Sequence, residues 1–79
     1  MSRYIDVVLN VPLNKSFIYL EPENSEELSI EENFGRRVEV RFGNRKLNGL
    51  VIKTYETYPE NCEVEQNKIR HAIRYLDEK

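Results

Sequence analysis

At 79 residues the chain has room for one small domain and no second hydrophobic core. A third of the residues are charged, the formal net charge is −2, and Cys62 is the single cysteine, so the chain offers neither a disulfide framework nor a multi-ligand zinc site. No apolar run nears the roughly 18–20 residues that span a bilayer, and the opening MSRYIDVVLNVPLNK, interrupted by Asp6 and Asn10, lacks a signal-peptide layout; with the lone thiol, this predicts a cytoplasmic, membrane-free protein.

Residues 3–11 alternate. Ile5, Val7, Leu9 and Val11 fall on one face, Tyr4, Asp6, Val8 and Asn10 on the other, the period of a half-buried strand. Pro12 has no amide to give a ladder and ends it. Ser16–Leu20 reads as a short aromatic strand with Phe17 and Tyr19 on one face and Ile18 and Leu20 on the other. Residues 21–35 form a connection with turn formers Pro22, Asn24, Ser25 and Asn33, and a short helical turn is expected around Ser25–Leu28.

Arg36–Phe42 is the clearest strand: Val38, Val40 and Phe42 point one way, Arg37, Glu39 and Arg41 the other. Gly43-Asn44 supplies a turn, because glycine takes positive φ without a steric penalty. Leu47–Tyr55 is the return strand, and Gly49 inside it marks a bulge, a bend or close approach by another backbone. Residues 56–67 form a second acidic loop with Pro59, Asn61 and Asn67. The last segment, 68–77, is ambiguous. Ile69, Ala72, Ile73 and Leu76 fit a helix, Ile69, Ile73 and Tyr75 fit a strand with His71 on the core side, and composition leans slightly to helix. Four or five short strands between turn signals predict a mainly β fold, a small β-barrel or curled antiparallel sheet.

Charge is segregated along the chain. Residues 21–33 hold six glutamates and no Lys or Arg, whereas 35–53 hold six basic side chains against Glu39. Residues 54–67 are acidic again, and 68–79 are basic. Basic strands between acidic loops give one face a positive potential on a net-acidic molecule. A solvated surface of mixed sign is the plain alternative, and docking of a basic protein partner on the acidic loop 21–33 is another.

Catalytic signatures are missing. The sequence has no GxxxxGK[ST] phosphate loop, no GxSxG elbow and no HExxH. His71 stands without an acid partner or nucleophile nearby in sequence, Ser16 and Ser25 lack a companion base, and the carboxylate pairs Glu26-Glu27 and Glu31-Glu32 read as solvated loop charges. A binding module is expected, not an enzyme.

Three segments in order resemble one family. Val8-Leu9-Asn10-Val11-Pro12-Leu13 leads to Phe17-Ile18-Tyr19 and Pro22; Gly35-Arg36-Arg37-Val38-Glu39-Val40-Arg41-Phe42-Gly43 is followed by the basic turn and Gly49-Leu50-Val51; Lys68-Ile69-Arg70 leads to Leu76-Asp77. Together they are similar to the N-terminal DNA-binding domain of replication-restart helicases of the PriA (primosomal protein N′) type.

The resemblance implies a β-barrel related to a circularly permuted oligonucleotide-binding fold, and it favours strand over helix in the last segment. Residues 1–79 would be the N-terminal domain of a longer helicase. The implied partners are single-stranded or forked DNA with a free 3′ end, the other domains of the parent helicase, and primosome proteins. No cofactor is implied in this chain; ATP, magnesium and zinc belong to the full-length parent. The implied function is recognition of the 3′-hydroxyl end of the nascent leading strand with little regard for sequence. Backbone contacts alone leave single-stranded RNA open as a ligand.

Carried over residue by residue, the terminal-nucleotide pocket would comprise Phe17, Ile18, Tyr19, Gly43 with its neighbour Asn44, and Arg70. Two positions depart from the pattern: Ile18 stands where an aspartate often sits, and Arg70 replaces a lysine. Arg41 replaces the proline before Phe42-Gly43. Lys15, Arg41, Arg45 and Lys46 are the further candidates for phosphate contacts. The chemistry is coherent, because reading a strand end of any sequence needs an aromatic face for stacking, backbone groups for the sugar, and cations for phosphate.

Overall fold

The computed structural model describes residues 3–12, 15–23, 25–60, 62 and 64–76. Asn24 and Asn61, read as turn formers, and Asp77, read as the end of the last segment, lie outside them. In chain order the elements are β1 (Tyr4–Leu9), β2 (Ser16–Leu20), α1 (Ile30–Asn33), β3 (Arg37–Phe42), β4 (Arg45–Tyr55), a 3₁₀ turn (Gln66–Lys68) and β5 (Arg74–Tyr75). They form a five-stranded antiparallel sheet in the order β2-β1-β4-β3-β5.

The period-2 pattern places the core. Ile5, Val7, Val38, Val40 and Val51 are fully buried, and Leu9, Tyr19 and Ala72 join them. Val11, Phe17, Phe42, Leu47 and Tyr75 pack around this cluster half-buried. Each fully buried valine or isoleucine removed from water contributes about 1.5–3 kcal/mol, which is why a sheet this small must curl its apolar faces together.

β4 is the spine of the curl. Its first half pairs with β3 and its second half with β1, and Gly49 at the handover opposes both Val38 and Leu9. A Cβ at Gly49 would collide with Val7 Cγ1 and lie 2.7 Å from the Val8 carbonyl oxygen and 2.8 Å from Leu9 Cδ2. Close backbone approach is therefore the reason for this glycine. The bulge sits elsewhere, at Ile52, where the register jumps from Asp6↔Lys53 to Val7↔Val51.

The curl nearly closes. Leu20 N–H donates to the Arg70 carbonyl at 2.9 Å, Ala72 N–H donates to the Leu20 carbonyl at 2.8 Å, and Leu20 and His71 form a parallel bridge. The same segment then crosses to β3, with Ile73 N–H on Glu39 O at 2.7 Å and Leu76 N–H on Arg37 O at 2.8 Å. The result is a curled sheet joined by a single bridge, without the continuous ladder of a closed barrel. The slight lean to helix over 68–77 is overturned, because these backbone groups bond to β2 and β3 instead of to each other.

The helical turn expected at Ser25–Leu28 is also displaced. Ser25 Oγ donates to the Pro22 carbonyl at 2.8 Å, which fixes a turn there. The helix starts at Ile30, because Ser29 and Glu32 form a reciprocal capping box. Among the described residues no helix is long and apolar enough to cross a membrane.

Part of the first acidic segment is interior. Glu21 is 5% exposed, and its carboxylate receives Arg3 Nε at 2.8 Å, Arg3 Nη2 at 3.1 Å and the Tyr75 hydroxyl at 2.5 Å. Fully buried Asn33 donates to the Thr54 hydroxyl at 2.9 Å and the Tyr75 hydroxyl at 3.2 Å, and its carbonyl accepts from Arg36 at 3.0 Å. The Arg36 guanidinium lies 3.5 Å from the Tyr75 ring centre. Burial alone would raise the Glu21 pKa, but the hydrogen bonds from Arg3 and Tyr75 and the charges of Arg3 and Arg36 outweigh it and hold the carboxyl below its ordinary range. Sequence places Glu21 at the start of an acidic connection; its burial follows from the pairing of the chain just past β2 with Arg3, where Glu21 N–H donates to Arg3 O at 2.8 Å.

Candidate functional site

A cavity of about 600 Å³ opens between the free edge of β2, the β3–β4 turn and the segment that leads into β5. The three stretches singled out in the sequence meet there. β2 and the residue before it contribute Lys15, Phe17, Ile18 and Tyr19; the end of β3 contributes Arg41, Phe42 and Gly43; the last segment contributes Arg70.

Local structure explains each placement. β2 is an edge strand, so side chains from both of its faces flank the cavity. Phe17 packs edge-on against Phe42 with ring centres 5.0 Å apart, which joins β2 to the β3–β4 turn. Tyr19 donates to the Arg41 carbonyl at 3.1 Å, and its burial pushes the phenol pKa up, so it remains a neutral donor. The Lys15 ammonium sits 5.5 Å from the Phe17 ring centre. Arg70 is anchored by its own carbonyl on Leu20, which leaves its side chain exposed at the cavity.

Gly43 has φ of +64°, which an L side chain adopts only with strain. A Cβ there would meet nothing within 4 Å, so the turn conformation requires this glycine, and its cavity face is open.

The backbone of β2 also faces the cavity. Leu20 directs its N–H and C=O away from β1, towards Arg70 and Ala72. Residues two apart in a strand share that direction, so Ile18 presents its N–H and C=O to the free edge. Among the described residues neither group has a partner. Ile18, half-buried and apolar, thus brings a backbone donor and acceptor even though its side chain brings none.

Four cations line the space, Lys15, Arg41, Lys68 and Arg70, and Asp6 is the one carboxylate among the described lining residues. Of the six basic residues of 35–53 only Arg41 lines the cavity; the other cations come from the residue before β2 and from the stretch 68–70. Asn44, Arg45 and Lys46 are not brought into the cavity. They are exposed on the adjoining turn and the start of β4, where they meet a ligand only if it extends past Gly43.

Sequence reasoning passed over several lining residues. Asp6 and Tyr55 line the cavity together, with the Tyr55 hydroxyl donating to Asp6 Oδ2 at 2.9 Å. Asp6 stands directly across from Ile18 in the β1–β2 register. Pro59, Cys62 and Val64 of the second acidic loop and Lys68 complete the wall. Tyr4 and Tyr58 pack edge-on with ring centres 5.9 Å apart and serve the scaffold, as does Tyr75 in the Glu21 network.

Known proteins similar to this chain are of one kind. The family model described as the 3′ DNA-binding domain (3′BD) of PriA matches residues 6–79. The chain is also 34% identical over 77 residues to the replication restart protein PriA of Treponema pallidum (strain Nichols). That alignment covers 98% of this chain and 11% of the relative, so the chain spans about a tenth of the relative's length. The family is a binding domain and not a catalytic one, in keeping with the absence of catalytic signatures from the sequence. A curled five-stranded sheet and a family match over nearly every residue lead to one conclusion: this chain belongs to the PriA 3′ DNA-binding domain family.

Proposed function

We propose that this DNA-binding domain holds the terminal nucleotide at the 3′ end of a DNA strand, largely without regard to base identity, and so directs a longer replication-restart helicase to forks with a free 3′ end. The observation that carries this reading is the convergence of the β2 free edge, the Phe42-Gly43 corner and Arg70 on a single cavity. Its volume of about 600 Å³ lies within the roughly 300–1,000 Å³ typical of small-molecule sites, a scale that suits one nucleotide better than a duplex.

The contacts on offer are those every nucleotide shares. Phe17, Phe42 and Tyr19 supply aromatic walls, the Ile18 backbone supplies a donor and an acceptor, and Lys15, Arg41, Lys68 and Arg70 supply phosphate contacts. The other domains of the parent helicase and primosome proteins are the partners that this role entails. No cofactor is required within the chain.

The test is fluorescence polarisation with labelled single strands and forks that differ only in a 3′-hydroxyl or 3′-phosphate end, across a salt series. Tighter binding of the hydroxyl end supports the reading. Equal affinity for the two ends rules out end recognition while leaving general DNA binding in place.

A further inference from the structure

A carboxylate inside a basic cavity is unfavourable for a polyanion unless it meets a hydrogen-bond donor. Asp6 is such a group. It lies in the middle of β1, half-buried, opposite Ile18 in a pair that exchanges no backbone hydrogen bonds. Side chains of such pairs stand closest together, with Cα atoms about 4.5 Å apart, so the carboxylate lies next to the Ile18 side chain on one face of the sheet, one strand in from the free edge that carries the open N–H and C=O of Ile18.

Asp6 is held in place without being neutralised. Tyr55 donates to Oδ2 at 2.9 Å, and partial burial followed by the Asp6 hydrogen bond raises the Tyr55 pKa and keeps the phenol protonated. Lys53, the β4 neighbour of Asp6, places its ammonium 5.2 Å from the Tyr55 ring centre. Among the described residues no cation lies within ion-pair distance of Asp6. A carboxylate has about four lone-pair positions, and Tyr55 uses one. Oδ1 is left to accept from a ligand.

From this arrangement we infer that Asp6, positioned by Tyr55, is a specificity-determining residue that accepts a hydrogen bond from the terminal sugar hydroxyl of a bound strand and repels a terminal phosphate. The inference rests on the end-binding reading above and adds to it the group that tells a free hydroxyl from a phosphorylated end. A hydroxyl donates to a carboxylate; a phosphate is itself an anion and finds like charge.

The experiment compares the wild-type chain, Asp6→Asn and Tyr55→Phe by fluorescence polarisation, using one oligonucleotide sequence with a 3′-hydroxyl, a 3′-phosphate or a 3′-deoxy end. Asp6→Asn preserves shape and removes charge. It is expected to weaken the hydroxyl-ended strand and strengthen the phosphate-ended one, narrowing their ratio by about tenfold or more, as befits a hydrogen bond to a charged group. Tyr55→Phe retains the charge and loses the orientation, so it is expected to reduce the preference for hydroxyl over 3′-deoxy while phosphate stays disfavoured.

An unchanged hydroxyl-to-phosphate ratio in Asp6→Asn, or a uniform rise for all three ends, overturns the assignment of Asp6 and leaves end binding standing. A wild-type chain that binds the three ends alike overturns end binding itself. If Tyr55→Phe matches the wild type on every end, Tyr55 has no positioning role.

Discussion

Glu21 and Tyr75 meet across the gap between the two edge strands of the sheet: the Tyr75 hydroxyl of β5 donates to the carboxylate of Glu21, the first residue after β2. Arg3 grips the same carboxylate from the start of β1, and Asn33 reaches Tyr75 from α1. The backbone joins β2 to the last segment by one bridge, and this side-chain network fastens the same seam a second time.

Removal of either partner should therefore loosen the whole domain. Tyr75→Phe deletes a hydrogen bond to a charged group and is expected to cost about 1.5–3 kcal/mol in urea unfolding. Glu21→Ala leaves the buried Arg3 with only the exposed Glu27 carboxylate at 3.4 Å and is expected to cost about 3–5 kcal/mol, comparable to the net stability of a domain this size. Circular dichroism should show Tyr75→Phe folded at 25 °C and Glu21→Ala largely unfolded.

The same network sets an acid limit. The Glu21 carboxyl is held below its ordinary value of 4.5 in the folded state. Its contribution is fully present above the unfolded carboxylate value and is lost as pH falls through the lower folded value. The melting temperature should therefore drop more steeply below about pH 4.5 in the wild type than in Glu21→Gln, which starts lower and lacks this titration.

Two glycines should respond differently to alanine. At Gly43 the φ of +64° makes an L side chain costly by about 1–2 kcal/mol, but the methyl meets no protein atom, so Gly43→Ala should fold with reduced stability and weaker DNA binding. At Gly49 the methyl collides with the backbone of β1, so Gly49→Ala should give insoluble or unfolded protein. Thermal melts paired with binding titrations separate the two outcomes.

Charge removal should depend on position. Arg70→Gln and Lys68→Gln take cations from the cavity and are expected to lower affinity and to flatten the slope of log affinity against log salt by about 0.7 for each lost phosphate contact on single strands. Arg45→Gln and Lys46→Gln, outside the cavity, should leave the slope for a dinucleotide unchanged. Titrations at several salt concentrations decide between these outcomes.

Alternation made most of the sheet readable in advance. Ile5, Val7, Val38 and Val40 announce their burial by period 2, and the Gly43-Asn44 turn fixes the pairing of β3 with β4. Phe17, Gly43 and Arg70 could be singled out because residue type and family pattern point the same way. The partnership of Asp6 with Tyr55 could not, because it depends on β1 lying between β2 and β4, which no local pattern encodes. The last segment is ambiguous for a related reason: its hydrogen bonds to β2 and β3 reach residues 34 to 52 positions earlier in the chain, whereas its spacing fits either period. Glu21 is hidden by its company, since five other glutamates within residues 21–33 make it look like one more solvated charge.

The open edge of β2 has a consequence for the behaviour of the domain in a crowded solution. An unpaired strand edge ordinarily invites another sheet to add to it and begin aggregation. At Ile18 the edge is recessed between the Phe42-Gly43 corner and the loop that carries Pro59 and Val64. A flat strand from a second protein needs a long straight approach and is shut out, whereas a slender polymer tip enters end-on. Recessing the edge thus keeps it reactive toward its ligand and inert toward its own kind.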